Sequence, residues 1–93
     1  MHAIVNRYHK IPPVTMAALL RYVNKGYMPG HFLTAVLTND LFEAVSRADV
    51  DNIAALPEIV KFVYNEVPGN AWGSKDTVRE YSRQRFDTPE VLI

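Results

Sequence analysis

Asn39 and Asp40 stand in the middle of PGHFLTAVLTNDLFEAVSRADVDN, residues 29–52, a stretch that otherwise reads as one apolar-faced helix. At about 100° per residue, Asp40 falls inside the apolar stripe, between Val36 and Ala44, and Asn39 falls on its edge. A carboxylate in such a place must be hydrogen-bonded or protonated, because burying an unpaired charge is costly. Three roles are open to the pair. In the first, Asp40 ties a loop to the helix by accepting from the N–H groups of PGNAWGS or from the indole of Trp72. In the second, Asn39 and Asp40 line a polar pocket. The third, a catalytic carboxylate, lacks a second acid, a His or a nucleophile at a defined spacing. No catalytic residue is assigned, and the chain is expected not to be an enzyme.

Other residues point to anion binding. Gly30-His31-Phe32 opens the same helix, and Gly73-Ser74-Lys75 opens the last one. Helix N-termini carry unpaired N–H groups and partial positive charge, so His31 and Lys75 at such ends are compatible with a phosphorylated ligand. Ordinary capping is the simpler account of both. Arg7, Tyr8, His9 and Lys10 form a basic-aromatic cluster that could grip a phosphate and stack on a base. The candidate ligand-binding set is therefore Tyr8, Lys10, Gly30, His31, Asn39, Asp40, Trp72, Ser74 and Lys75. DVDNIAALPEIV begins like a calcium loop, but Ala54 stands where the turn needs Gly, and Val60 where the bidentate Glu is needed. The three histidines lack metal-ligand spacing, and no glycine-rich nucleotide motif occurs. Neither a metal nor a cofactor is expected.

Bulk properties narrow the classes. Ten basic residues balance ten acidic ones, which argues against general nucleic-acid binding. There are no cysteines, so disulfides and thiolate chemistry are excluded. No apolar run is long enough to span a membrane, and the N-terminal sequence lacks a signal peptide's apolar segment. A cytoplasmic location is expected. A neutral chain of 93 residues has a small core and a tendency to self-associate.

The elements that must position these residues are helices. Pro12-Pro13 closes an N-terminal arm over residues 1–11, extended or a short strand, and starts a helix over residues 13–25 with apolar positions Met16, Leu19, Leu20 and Val23. Gly26 is its stop. A second helix spans residues 31–48, with Leu33, Val36, Leu37, Leu41, Ala44 and Ala48 on one stripe. A third, capped by Asp49 or Asp51, runs to residue 66 with Ile53, Leu56, Val60, Val63, Tyr64 and Val67 on one face. Pro57 either kinks it, the preferred reading, or begins it after a short turn. The fourth spans residues 75–85 behind Ser74, with Val78, Tyr81 and Phe86 inward. The expected fold is all-α: a compact bundle of about four helices over residues 12–86, with a tail at 87–93. Tyr22, Phe42 and Phe62 fall off their stripes. That suggests contact with another surface, with Phe42 and Phe62 in an interface of a homo-oligomer.

PGHFLTAVLTNDL and YNEVPGNAWGS together resemble a group of small, functionally uncharacterised proteins of tailed phages and prophages. The likeness covers roughly residues 12–82. Pro57 departs from that pattern, and the arm and tail lie outside it. The resemblance implies a context: small phage accessory proteins commonly modulate the host. Some sequester a nucleotide signal of an antiviral system in a pocket between subunits, and others block a host protein. The first is the leading expectation for this chain; a protein–protein inhibitor or adaptor is the alternative.

Overall fold

The computed structural model describes residues 7–87, and over them the chain is an all-α compact globule. Five helices follow one another: α1 Pro13–Lys25, α2 His31–Leu37, α3 Leu41–Arg47, α4 Val50–Glu66 and α5 Lys75–Asp87. A 3-10 turn at Gly69–Ala71 precedes α5. No strand occurs among the described residues.

α1 has the expected bounds. Pro13 sits at its first position, where a missing N–H costs nothing. Gly26 ends it in the left-handed conformation, φ 78°, donating its N–H to the Tyr22 carbonyl. A Cβ at position 26 would lie 2.6 Å from Arg85 Cβ and 2.8 Å from the Ser82 carbonyl, so only glycine lets α5 come this close. The approach has a use. The last carbonyls of a helix lack internal partners, and α5 supplies them. Tyr81 Oη donates to the Val23 carbonyl at 2.6 Å, Arg85 Nε donates to the same oxygen at 3.2 Å, and Ser82 Oγ donates to the Gly26 carbonyl at 2.6 Å. Tyr22, fully buried, reaches the other way and donates to the Ala71 carbonyl at 2.8 Å, which fixes the 3-10 turn.

The helix expected over residues 31–48 is two helices, and Asn39-Asp40 is the break. Asn39 has φ 64°, the one positive φ outside glycine among the described residues. Its N–H donates to the Val36 carbonyl at 3.1 Å, and the Asp40 N–H donates to the Ala35 carbonyl at 2.9 Å. This pair of bonds closes α2 as a Schellman motif, with Asn in the place that usually takes Gly. Asp40 is then the N-cap of α3, its Oδ1 accepting from the Glu43 N–H at 3.3 Å. Helical periodicity placed Asp40 in an apolar stripe only because it carried one helix through a residue that ends it.

α4 begins where expected, with Asp49 accepting from the Asn52 N–H at 2.8 Å, and runs unbroken past Pro57. Its inward face is only partly the expected one: Val63 and, just past its end, Val67 are buried as expected. Ala55, Ile59, Phe62 and Val63 are buried, whereas Ile53, Val60 and Tyr64 are exposed. Phe62, expected at an interface, is therefore a core residue, and Tyr22 is another. The arm expected to extend over residues 1–11 is folded back within its described part. Residues 8–10 turn, the Ile11 N–H donates to the Tyr8 carbonyl, and both Tyr8 and Ile11 are buried. The Tyr8 ring stands edge-on to Phe62, centroids 5.2 Å apart, and its hydroxyl donates to Glu66 Oε2 at 2.9 Å. The start of the arm, residues 1–6, and residues 88–93 of the tail lie outside the described residues; residue 87, the expected start of the tail, ends α5 instead. Leu19, Tyr22, Leu37, Ile59, Phe62 and Val78 form the centre of the core.

Candidate functional site

The break at Asn39-Asp40 turns α3 away from α2, and a cavity opens on each side of it. On one side α2, α3 and α5 line an open cleft of about 610 Å³, polar in that it carries most of the charged side chains near the break, although Met28, Ala35 and Val78 also line it. His31, Thr34 and Thr38 line it from α2 and its end, Asp40 and Glu43 from the start of α3, and Lys75, Val78, Arg79 and Ser82 from α5. Its volume suits a small organic ligand, which generally takes about 300–1,000 Å³. Lys75 and Arg79 share one face of α5 because they are four residues apart.

The charges of this cleft are unequally engaged. The Asp40 carboxylate caps α3. Glu43 Oε2 accepts from Arg47 Nε at 2.7 Å, an i, i+4 pair on the outer side of the same helix. Arg79 lies 3.6 Å from Asp76, but both side chains are largely in water, where such a pair is worth little. Lys75 and His31 have no ionic or hydrogen-bonding partner of their own among the described residues. Asp40 caps α3, and Glu43 and Arg79 each have a solvent-exposed ion-pair partner on their own helix, which leaves Lys75 and His31 as the charged or titratable lining side chains with no such partner among the described residues. The floor hydroxyls are occupied: Thr34 Oγ1 donates to the Pro29 carbonyl, Thr38 Oγ1 to the Thr34 carbonyl and Ser82 Oγ to the Gly26 carbonyl. Recognition in the cleft falls to its charged rim.

On the other side of α3 lies an apolar groove of about 240 Å³ between α3 and α4. Leu41 and Ala44 form one wall, Leu56, Val60 and Tyr64 the other, and Trp72 closes one end with its ring 5.9 Å from that of Tyr64. Asp40 borders both cavities. The Trp72 indole nitrogen is buried without a hydrogen-bond partner, so Asp40 does not accept from it. The loop is still tied to this helix end, through backbone alone: the Gly73 N–H donates to the Leu37 carbonyl at 2.7 Å.

Of the residues the sequence singled out, His31, Asp40 and Lys75 meet in the polar cleft, and Asn39, Asp40 and Trp72 meet at the groove. Gly30 and Ser74 are the N-caps beside them. Ser74 Oγ accepts from the Thr77 N–H at 3.1 Å, the ordinary capping bond. Tyr8 is in the core, and exposed Lys10 lies in a separate shallow cavity beside Pro12, Pro13 and Asp51. Neither joins the cleft. Thr34, Thr38, Glu43 and Arg79 belong to it and were not singled out. For Arg79 the signal was its i, i+4 spacing from Lys75; for Glu43 it was hidden by the assumption of one continuous helix. No helix among the described residues is long and apolar enough to cross a membrane. Comparison with protein-family models, curated proteins and solved structures finds no match.

Proposed function

We propose that this chain is a non-catalytic, phage-type binding protein that sequesters a small phosphorylated molecule, such as a nucleotide-derived immune signal, in the host cytoplasm. The cleft between α2, α3 and α5 is the receiving site. The observation that carries this reading is that Lys75 and His31 line the cleft with no partner among the described residues, beside Arg79, whose pair with Asp76 is solvent-exposed. A phosphate between Lys75, Arg79 and His31 gains hydrogen bonds from Lys75 and His31, and from Arg79 in exchange for its weak, solvent-exposed pair with Asp76. The resemblance to small phage proteins supports the host-directed setting.

Thermal unfolding in the presence of nucleotides and of inorganic phosphate tests the proposal. A ligand at 100-fold excess over its Kd stabilises the fold by about 2.7 kcal/mol. Lys75→Glu is expected to abolish the shift, and Arg79→Glu to reduce it strongly. Nucleotides that leave the wild-type transition unmoved contradict the proposal, and recovery of a chemically altered ligand contradicts its non-catalytic part. The alternative, an inhibitor or adaptor for a host protein, needs the apolar groove free for that partner.

A further inference from the structure

The longest helix of the molecule has two apolar faces, and the larger side chains of one of them point to water. α4 buries Ala55, Ile59, Phe62 and Val63, yet Ile53, Val60 and Tyr64 recur at helical spacing on another face and remain 42%, 47% and 71% exposed. α3 does the same in miniature: it buries only Ala44 and exposes Leu41, Phe42 and Val45, with Phe42 85% exposed. Leu41 of the one face and Val60 and Tyr64 of the other line the groove that ends at Trp72. Taking large side chains at about 150–250 Å² each, these six residues expose on the order of 700 Å². Apolar patches on stable monomers generally stay within about 300–600 Å². A standard protein interface takes about 800 Å² from each partner.

We propose that a second copy of this chain covers this face, forming a two-fold symmetric contact in which Phe42 of each copy seats in the other's α3–α4 groove. A two-fold contact uses the same patch on both subunits, so the patch must be complementary to itself. α3 carries an exposed aromatic ring at Phe42, and its neighbour Leu41 lines a groove of about 240 Å³ whose wall is mostly apolar and aromatic. Among the groove's lining residues the one carboxylate is Asp40, which also borders the cleft on the other side of α3, and no Lys, Arg or His is present. The chain's formal net charge of zero sets up no long-range repulsion between copies. The exposed area is close to what one copy contributes to a dimer interface, and an exposed ring and an apolar groove on the same short helix let the patch pair with itself. The inference stands apart from what the polar cleft binds.

Sedimentation velocity across the micromolar range tests it, on the wild type and on Phe42→Asp and Val60→Glu. Both substituted side chains are at the surface, so the helical circular-dichroism signal is expected to be unchanged. The wild type is expected to sediment as a dimer or an even-numbered assembly, and each variant as a smaller species. Lys75→Glu, which disables the cleft, is expected to leave the assembly size as it is. A wild-type monomer throughout the range overturns the proposal and leaves the face to a protein of different sequence. An odd-numbered assembly, or one that both variants leave intact, overturns it as well.

Discussion

Replacing Asp40 by Ala removes the oxygen that accepts the Glu43 N–H, and the expected loss of stability is about 0.5–2 kcal/mol. Asp40→Asn keeps an accepting oxygen and is expected to retain most of it. Equal chemical denaturation of the wild type and Asp40→Ala would contradict the capping role. Tyr22 makes a second residue-level case. Its hydroxyl is held by the Ala71 carbonyl in a buried site, so Tyr22→Phe leaves that carbonyl without its partner and is expected to cost about 1–3 kcal/mol. Burial first, and then the neighbouring Tyr81, push the Tyr22 phenol well above its ordinary range. The sign follows from linkage. Because the folded value lies above the unfolded one of about 10, the contribution is complete below that pH and is lost as pH rises beyond it. Alkaline denaturation measured on Tyr22→Phe is expected to show a shallower fall in stability above about pH 10 than the wild type. An identical slope would contradict the assignment. What the sequence concealed at this scale is the conformation of Asn39. Asn is tolerated in the left-handed region, but nothing in LTNDL announces that it will be used there rather than within a helical turn.

Among the elements, α1 and α5 form the joint on which the polar cleft depends, because α5 carries Lys75 and Arg79 at the end opposite its contact with Gly26. Gly26→Ala combines left-handed backbone strain with a clash against Arg85 and Ser82, and it is expected to be among the most destabilising single changes, by more than about 2 kcal/mol. A melting temperature within a degree of the wild type would show that the two helices do not need this approach. Punctuated boundaries were legible from sequence. Pro13, Gly26, Asp49 and Ser74 each mark a helix end through a specific backbone preference, and the helices start or stop beside them. Rotation of the helices was not legible. In α4 the stripe through Ile53, Leu56, Val60 and Tyr64 is as good an amphipathic pattern as the one that is buried. Periodicity cannot say which of two apolar faces meets the core and which meets the surface. Tyr22 and Phe62 were displaced from the core by the same ambiguity.

For the whole molecule, α3 is the hinge of the account. One margin of this seven-residue helix borders a polar cleft and the other an apolar groove, because Asn39 and Asp40 redirect the chain between them. Half of the polar cleft could be anticipated, since His31 and Lys75 follow the helix-opening residues Gly30 and Ser74. The convergence of those two ends across α2 and α5 depends on tertiary packing that no local pattern encodes. Tyr8 was drawn toward a ligand role by its basic neighbours in sequence, although its ring was needed against Phe62. Central to the proposed function is a small anionic ligand held in the cleft without turnover. Native mass spectrometry of protein gently purified from an expressing host tests that claim most directly, with Lys75→Glu as the comparison. The expected result is a reproducible added mass of a nucleotide-sized ligand on the wild type, absent from Lys75→Glu, with the released molecule chemically intact. Bare wild-type protein under infection-like conditions, or an added mass that Lys75→Glu retains in full, would contradict it.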